Sequence, residues 1–180
     1  MGSPSGWLVV VDYQEVFRDP GSPWTTPRFD EIRPRIRTLV EAFGDRVVFT
    51  RFVVPDRPTG AWADYYAKYD YFTQAHAIPL FQLAEDPGGL PVVDAPTFGK
   101  WVPAVAELVG DGPVTVAGVA TDCCVLSTVL PAADAGLLVR VVSDACAGAT
   151  DEAHDDTMRI LACYAPLVEV TTTAEVLAEG

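Results

Sequence analysis

Several short stretches of this chain are apolar at consecutive positions, with no polar alternation. Trp7 to Asp12 reads WLVVVD, Arg46 to Phe52 reads RVVFTRF and Val114 to Val119 reads VTVAGV. A strand with one wet face alternates, whereas a strand covered on both faces does not, so these runs predict a buried, mostly parallel sheet. Leu90–Val93, Leu137–Ser143 and Leu167–Val170 supply three further strands. Between them lie helical patterns. Phe29–Phe43 carries Ile32, Ile36, Leu39, Val40 and Phe43 at helical spacing, with Pro34 tolerated in its first turns. Trp101–Val109 is a short helix. Asp122–Ala135 is another, which Pro131 should kink or end early and Gly136 should stop. Asp151–Cys163 follows Thr150 as its N-cap.

Strand and helix alternate throughout, so the expected architecture is an α/β three-layer α/β/α fold on a six-stranded, doubly wound sheet. At 180 residues the chain is expected to form a single domain, residues 1–180, with residues 1–6 as a flexible N-terminus. Val53–Pro91 is less regular and rich in aromatic residues, and reads as a lid or pocket wall.

The formal net charge of −13 argues against nucleic acid and against an anionic membrane surface, both of which call for clustered Lys and Arg. No apolar run reaches the roughly 20 residues of a membrane span. The start has no secretion-signal pattern, so a cytoplasmic location is expected. Cys123, Cys124, Cys146 and Cys163 form no metal-ligand spacing, and reduced thiols are expected. His76 and His154 lie far apart in sequence with no ligand context. No metal and no cofactor are expected.

Asp12 ends the first strand, and Cys124 opens the helix after the fourth, so both fall at the carboxyl edge of the sheet, where open α/β sheets bind ligands. A cysteine in a first helical turn faces unpaired N–H groups, which lowers a thiol pKa. Thr121 or Asp122 can cap that helix. A nearby carboxylate can act as general base. By spacing alone, the cysteine also suits a buried structural thiol.

Gly118-Val119-Ala120-Thr121-Asp122-Cys123-Cys124-Val125 closely resembles the nucleophile motif of the isochorismatase-like cysteine hydrolase family: Gly, an apolar residue, Ala, Thr, Asp or Asn, any residue, Cys, Val. Asp12-Tyr13-Gln14 resembles the family's Asp-x-Gln opening, and Ser143-Asp144-Ala145-Cys146-Ala147 its continuation. The resemblance implies strand order 3-2-1-4-5-6, hydrolysis of amides and related carbon–nitrogen bonds, and an Asp–Lys–Cys triad. Asp12 is then the base, Cys124 the nucleophile and Cys123 a bystander. The backbone N–H groups of Ala120 and Cys124 form the oxyanion hole, and the Val119–Ala120 peptide is cis. A small-molecule substrate and a homo-oligomer are also implied.

Two features depart from that pattern. Ala95 stands where the family has its lysine; the nearest lysine, Lys100, lies five positions later, and Arg51 at the end of the second strand is the other candidate cation. After the second strand, Phe52-Val53-Val54-Pro55-Asp56 lacks the Asp-x-His pair of the nicotinamidase branch's metal site. Phe17, Trp62, Tyr66 and Val119 are the candidate substrate-pocket residues, with Trp24 close to the same aromatic group. The alternatives to a hydrolase are a diverged member with an altered reaction, a binding protein that keeps only the pocket, and a redox protein using Cys123 and Cys124.

Overall fold

The computed structural model describes residues 3–179. Met1 and Gly2 of the expected flexible N-terminus lie outside the described residues. Six parallel strands form one sheet: β1 (Trp7–Val11), β2 (Val47–Phe52), β3 (Val92–Ala95), β4 (Val114–Val119), β5 (Val139–Ala147) and β6 (Val168–Thr171). Their order is β3-β2-β1-β4-β5-β6, as expected. Helices flank the sheet: α1 (Phe29–Phe43), α2 (Ala61–Lys68), α3 (Pro103–Val109), α4 (Leu126–Asp134), α5 (Asp151–Ala162) and α6 (Thr173–Ala178). α1 packs on β1, β4, β5 and α6, while α5 lies against β5 and β6. Leu8, Val9, Val10, Val47, Val48, Val114 and Val116 are all buried, which is why these strands show no alternation.

The sheet reverses its winding between β1 and β4, and β1 pairs with β4 from Trp7–Val114 to Val11–Gly118. Gly118 has φ 119°, and a Cβ there would lie 2.2 Å from the Val11 carbonyl oxygen. Glycine is therefore required where the two strands close together just before Asp12 and Ala120.

Several elements differ from the sequence reading. β3 begins at Val92 instead of Leu90, because Pro91 has no N–H to donate and Leu90 is held in a turn on the Pro87 carbonyl. β5 continues past Ser143 to Ala147. Its register against β4 shifts between Val116 and Gly118, and Cys146 and Ala147 then pair with Gly118 and Val119. The segment read as irregular contains α2, whose Trp62, Tyr65, Tyr66 and Tyr69 fall at helical spacing. α6 also went unread, although Thr172 and Glu175 form a reciprocal capping box at its start.

The helix expected over Asp122–Ala135 is two pieces. Thr121–Val125 is a wide turn in which Val125 N–H reaches the Ala120 carbonyl, and α4 proper follows. Pro131 does not end α4 early: the helix runs on to Asp134, with Ala135 N–H on the Pro131 carbonyl. Proline at 131 leaves the Ser127 carbonyl without its helical donor. That carbonyl faces Gly99, where a Cβ would come within 2.6 Å of it. The loop after β3 therefore docks directly on α4.

Candidate active site

Asp12 follows β1 with φ 45° and is fully buried. Thr50, in the neighbouring β2, orients it. The Thr50 hydroxyl donates to Asp12 Oδ1 (2.8 Å) and accepts from the Asp12 N–H (3.2 Å). Gln14, two residues on, ties this corner to β2: its amide accepts from Phe52 N–H (2.8 Å) and donates to the Phe52 carbonyl (3.0 Å).

Lys100 is also fully buried, an exceptional place for a lysine. Its Nζ lies 2.7 Å from Asp12 Oδ2. The ammonium also donates to the carbonyls of Thr97 and of Phe98 (3.1 Å), and lies 4.9 Å from the centre of the Phe52 ring. With Asp12 the ammonium forms a buried ion pair. The lysine backbone is anchored as well. Lys100 N–H donates to Thr128 Oγ1 (2.8 Å), whose hydroxyl donates in turn to the Cys124 carbonyl (2.6 Å). Of the two candidate cations, then, Lys100 meets Asp12. Arg51 turns away and forms a two-point pair with Asp94, both contacts at 2.7 Å.

Cys124 sits in the turn after β4, almost fully buried, and close enough to Asp12 for each to shift the other's titration. Burial holds the Asp12 carboxyl above the ordinary carboxylate range, and Lys100, Thr50 and Cys124 partly offset the rise. The expected lowering of the Cys124 thiol pKa is not what the structure has. A hydrogen bond shared with Cys123, burial and the Asp12 charge push it well up, and Lys100 only partly opposes them. Ionising a thiol in this setting calls for a base.

The Val119–Ala120 peptide is cis, as the resemblance implies. The Ala120 carbonyl accepts from the N–H groups of Cys123 and Val125, both at 3.1 Å. The turn is braced from α5 by His154, whose Nδ1 lies 2.9 Å from Thr121 Oγ1. Neither Thr121 nor Asp122 caps the turn with its side chain; Asp122 instead accepts from Ala149 N–H (2.9 Å).

A cavity of about 170 Å³ opens over Cys124. Phe17, Pro23, Trp24, Tyr65 and Phe98 form its apolar wall, and Ala120, Asp122, Cys123 and Ala149 complete the lining. Of the expected pocket residues Phe17 and the neighbouring Trp24 line it. Trp62 and Tyr66 stand behind the wall, with the Trp62 ring 5.0 Å from that of Phe98 and 6.0 Å from that of Tyr66. Val119 is wholly buried in β4. Tyr65 belongs to the aromatic segment expected as a lid or pocket wall, whereas Phe98 is not among the expected pocket residues. Their signal was available: Tyr65 shares the helical stripe of Trp62 and Tyr69, and Phe98 lies two residues before Lys100.

A family model for the isochorismatase domain matches residues 6–175. Among solved structures, a cysteine hydrolase from Pseudomonas syringae pv. phaseolicola 1448A superposes with a TM-score of 0.80 at 23% identity, covering 99% of this chain and 98% of that one. An isochorismatase family protein from Desulfovibrio vulgaris subsp. vulgaris str. Hildenborough gives 0.76 at 18% identity, with 98% and 100% covered. Pyrazinamidase of Pyrococcus horikoshii in complex with zinc gives 0.71 at 20%, with 92% and 97% covered. No curated protein matches the sequence. The residues of this chain do not fit a zinc site. Among the described residues no three His, Cys, Asp or Glu side chains converge, His154 is turned to Thr121, and His76 is exposed beside Tyr71. With the sheet order, the Asp12–Lys100 pair and the Cys124 turn in place, and the domain model covering nearly the whole chain, this protein belongs to the isochorismatase family of hydrolases.

Proposed function

We propose that the protein is a cysteine-dependent hydrolase of small amides or related carbon–nitrogen bonds, with Cys124 as nucleophile. The observation that carries this reading is the fully buried Lys100 ammonium 2.7 Å from Asp12, next to a cavity whose lining includes Cys124. A buried ion pair with no structural alternative for its charges is a costly feature in a fold of this size.

Asp12 takes the proton from the Cys124 thiol, and the thiolate attacks the amide carbonyl carbon. The resulting oxyanion is held by the backbone N–H groups of Ala120 and Cys124. The proton on Asp12 passes to the leaving nitrogen, ammonia or an amine departs, and a thioester remains on Cys124. Asp12, ionised again, removes a proton from water, which attacks the thioester and releases the acid and the free thiol. Lys100 keeps Asp12 ionised in spite of burial, and water is the only co-substrate.

The test is a screen of small primary amides for ammonia release, with intact-mass detection of the acyl-enzyme. Cys124→Ala is expected to lose more than about a thousandfold in kcat with an unchanged circular dichroism spectrum. Cys123→Ala is expected to keep turnover within about tenfold of the parent protein. Turnover that survives in Cys124→Ala sinks the mechanism.

A further inference from the structure

We infer that the cavity over Cys124 selects flat amides that carry no negative charge, and rejects carboxylate-bearing ones. The inference rests on the hydrolase reading and adds the substrate class.

The wall of Phe17, Trp24, Tyr65 and Phe98 is aromatic, and among the described residues no Arg, Lys or His lines the cavity. The one cation nearby, Lys100, is fully buried, and its donors go to Asp12 and to the Thr97 and Phe98 carbonyls. The only carboxylate in the lining is Asp122. It spends one oxygen on Ala149 N–H, so its charge stays at the pocket wall. An aromatic wall supplies no positive charge, so it favours a neutral or cationic group over an anion. An anionic ligand would lose its water shell here, gain no counter-charge and face Asp122. The chain as a whole, at −13, adds repulsion at longer range.

The cavity has one side-chain donor with its proton to spare. The Tyr65 hydroxyl accepts from Trp24 Nε1 (2.7 Å), and among the described residues its own O–H is given to no acceptor. At about 170 Å³ the space suits a single substituted ring.

The experiment compares 4-methylbenzamide, 4-(aminomethyl)benzamide and 4-carbamoylbenzoate, which differ mainly in the charge at the far end of one ring. Binding is read by calorimetry on Cys124→Ala protein, and kcat/KM on the unaltered enzyme. The neutral and cationic amides are expected to bind at least about tenfold tighter than the carboxylate. In Asp122→Asn, which keeps an oxygen for Ala149 N–H, the gap is expected to narrow. Equal or tighter binding of the carboxylate, or no binding of any of the three, overturns the inference. A gap unchanged in Asp122→Asn overturns the role given to that residue. Binding in the expected order without ammonia release upholds the charge rule and counts against the hydrolase reading, so the two failures are distinguishable.

Discussion

Lys100 Nζ lies 2.7 Å from Asp12 Oδ2, with both side chains sealed from solvent. The two residues are 88 positions apart in sequence, and neither charge has another ionic partner at the site. Breaking a buried pair by removing one partner leaves the other charge uncompensated and costs about 3–5 kcal/mol. Lys100→Ala is therefore expected to lower stability by about that amount in urea unfolding, and to abolish activity at neutral pH. Arg51→Ala, which breaks only the half-exposed pair with Asp94, is expected to cost about 1 kcal/mol or less and to leave turnover intact. An inactive Arg51→Ala beside an active Lys100→Ala would reverse the assignment.

Asp12 serves as base only when ionised, and burial raises its carboxyl above the ordinary aspartate range. kcat/KM should accordingly rise with pH along an acid limb centred above the free value of about 3.9. Weakening the Lys100 pair removes the charge that favours the ionised form, so the limb moves to higher pH in Lys100 variants that still fold. A limb at or below the free value contradicts the proposed base.

Thr128 joins the lysine loop to the nucleophile turn through one hydroxyl, accepting from Lys100 N–H and donating to the Cys124 carbonyl. Thr128→Val keeps the shape and removes both bonds, leaving a buried N–H unpaired at a cost of about 1–3 kcal/mol. We expect kcat to fall about tenfold with little change in KM, the acid limb to move up, and Thr128→Ser to restore both. Wild-type kinetics in Thr128→Val would show that the hydroxyl positions nothing. Gly99→Ala tests the same dock from the other side, because its methyl would press on the Ser127 carbonyl.

His154 braces Thr121 at the head of the nucleophile turn, and burial lowers its pKa below the ordinary value of 6.5. As pH falls, the unfolded chain takes up this proton first. Stability therefore declines from above pH 6.5 down through the folded pKa and levels off below it. Urea titrations at pH 7.5 and 5.5 should show a loss at the lower pH, and the loss should be smaller in His154→Asn. An equal loss in both proteins would assign the effect to other groups.

The parallel sheet was legible because burial on both faces leaves a one-dimensional mark, continuous apolar runs such as VVVD and VTVAGV. The proposed nucleophile was legible because Gly118 to Val125 is a local motif, although His154, Ala149 and Val11 from distant segments hold its turn in place. Less came through where a segment's limits depend on a partner strand. β3 slid by two residues on Pro91, and β5 ran on past Asp144. The small helices α2 and α6 carried signals in their spacing and capping that a search for apolar runs passes over.

The lysine could be decided only in three dimensions. Read along the chain, Ala95 occupies its expected position, Lys100 is the nearest lysine and the first choice, and Arg51 is the other possible cation. Side-chain length and loop path separate them. The loop from Thr97 docks Gly99 on a helix carbonyl left free by Pro131, which turns Lys100 inward over Phe52 to Asp12, while Arg51 on its strand finds Asp94 first. The pocket wall was likewise a tertiary outcome, since Phe17 and Trp24 come from the connection between β1 and α1, Tyr65 from α2 and Phe98 from the loop after β3. A motif records what adjacent residues do to one another; the meeting of charges from distant segments is recorded only in how the chain packs.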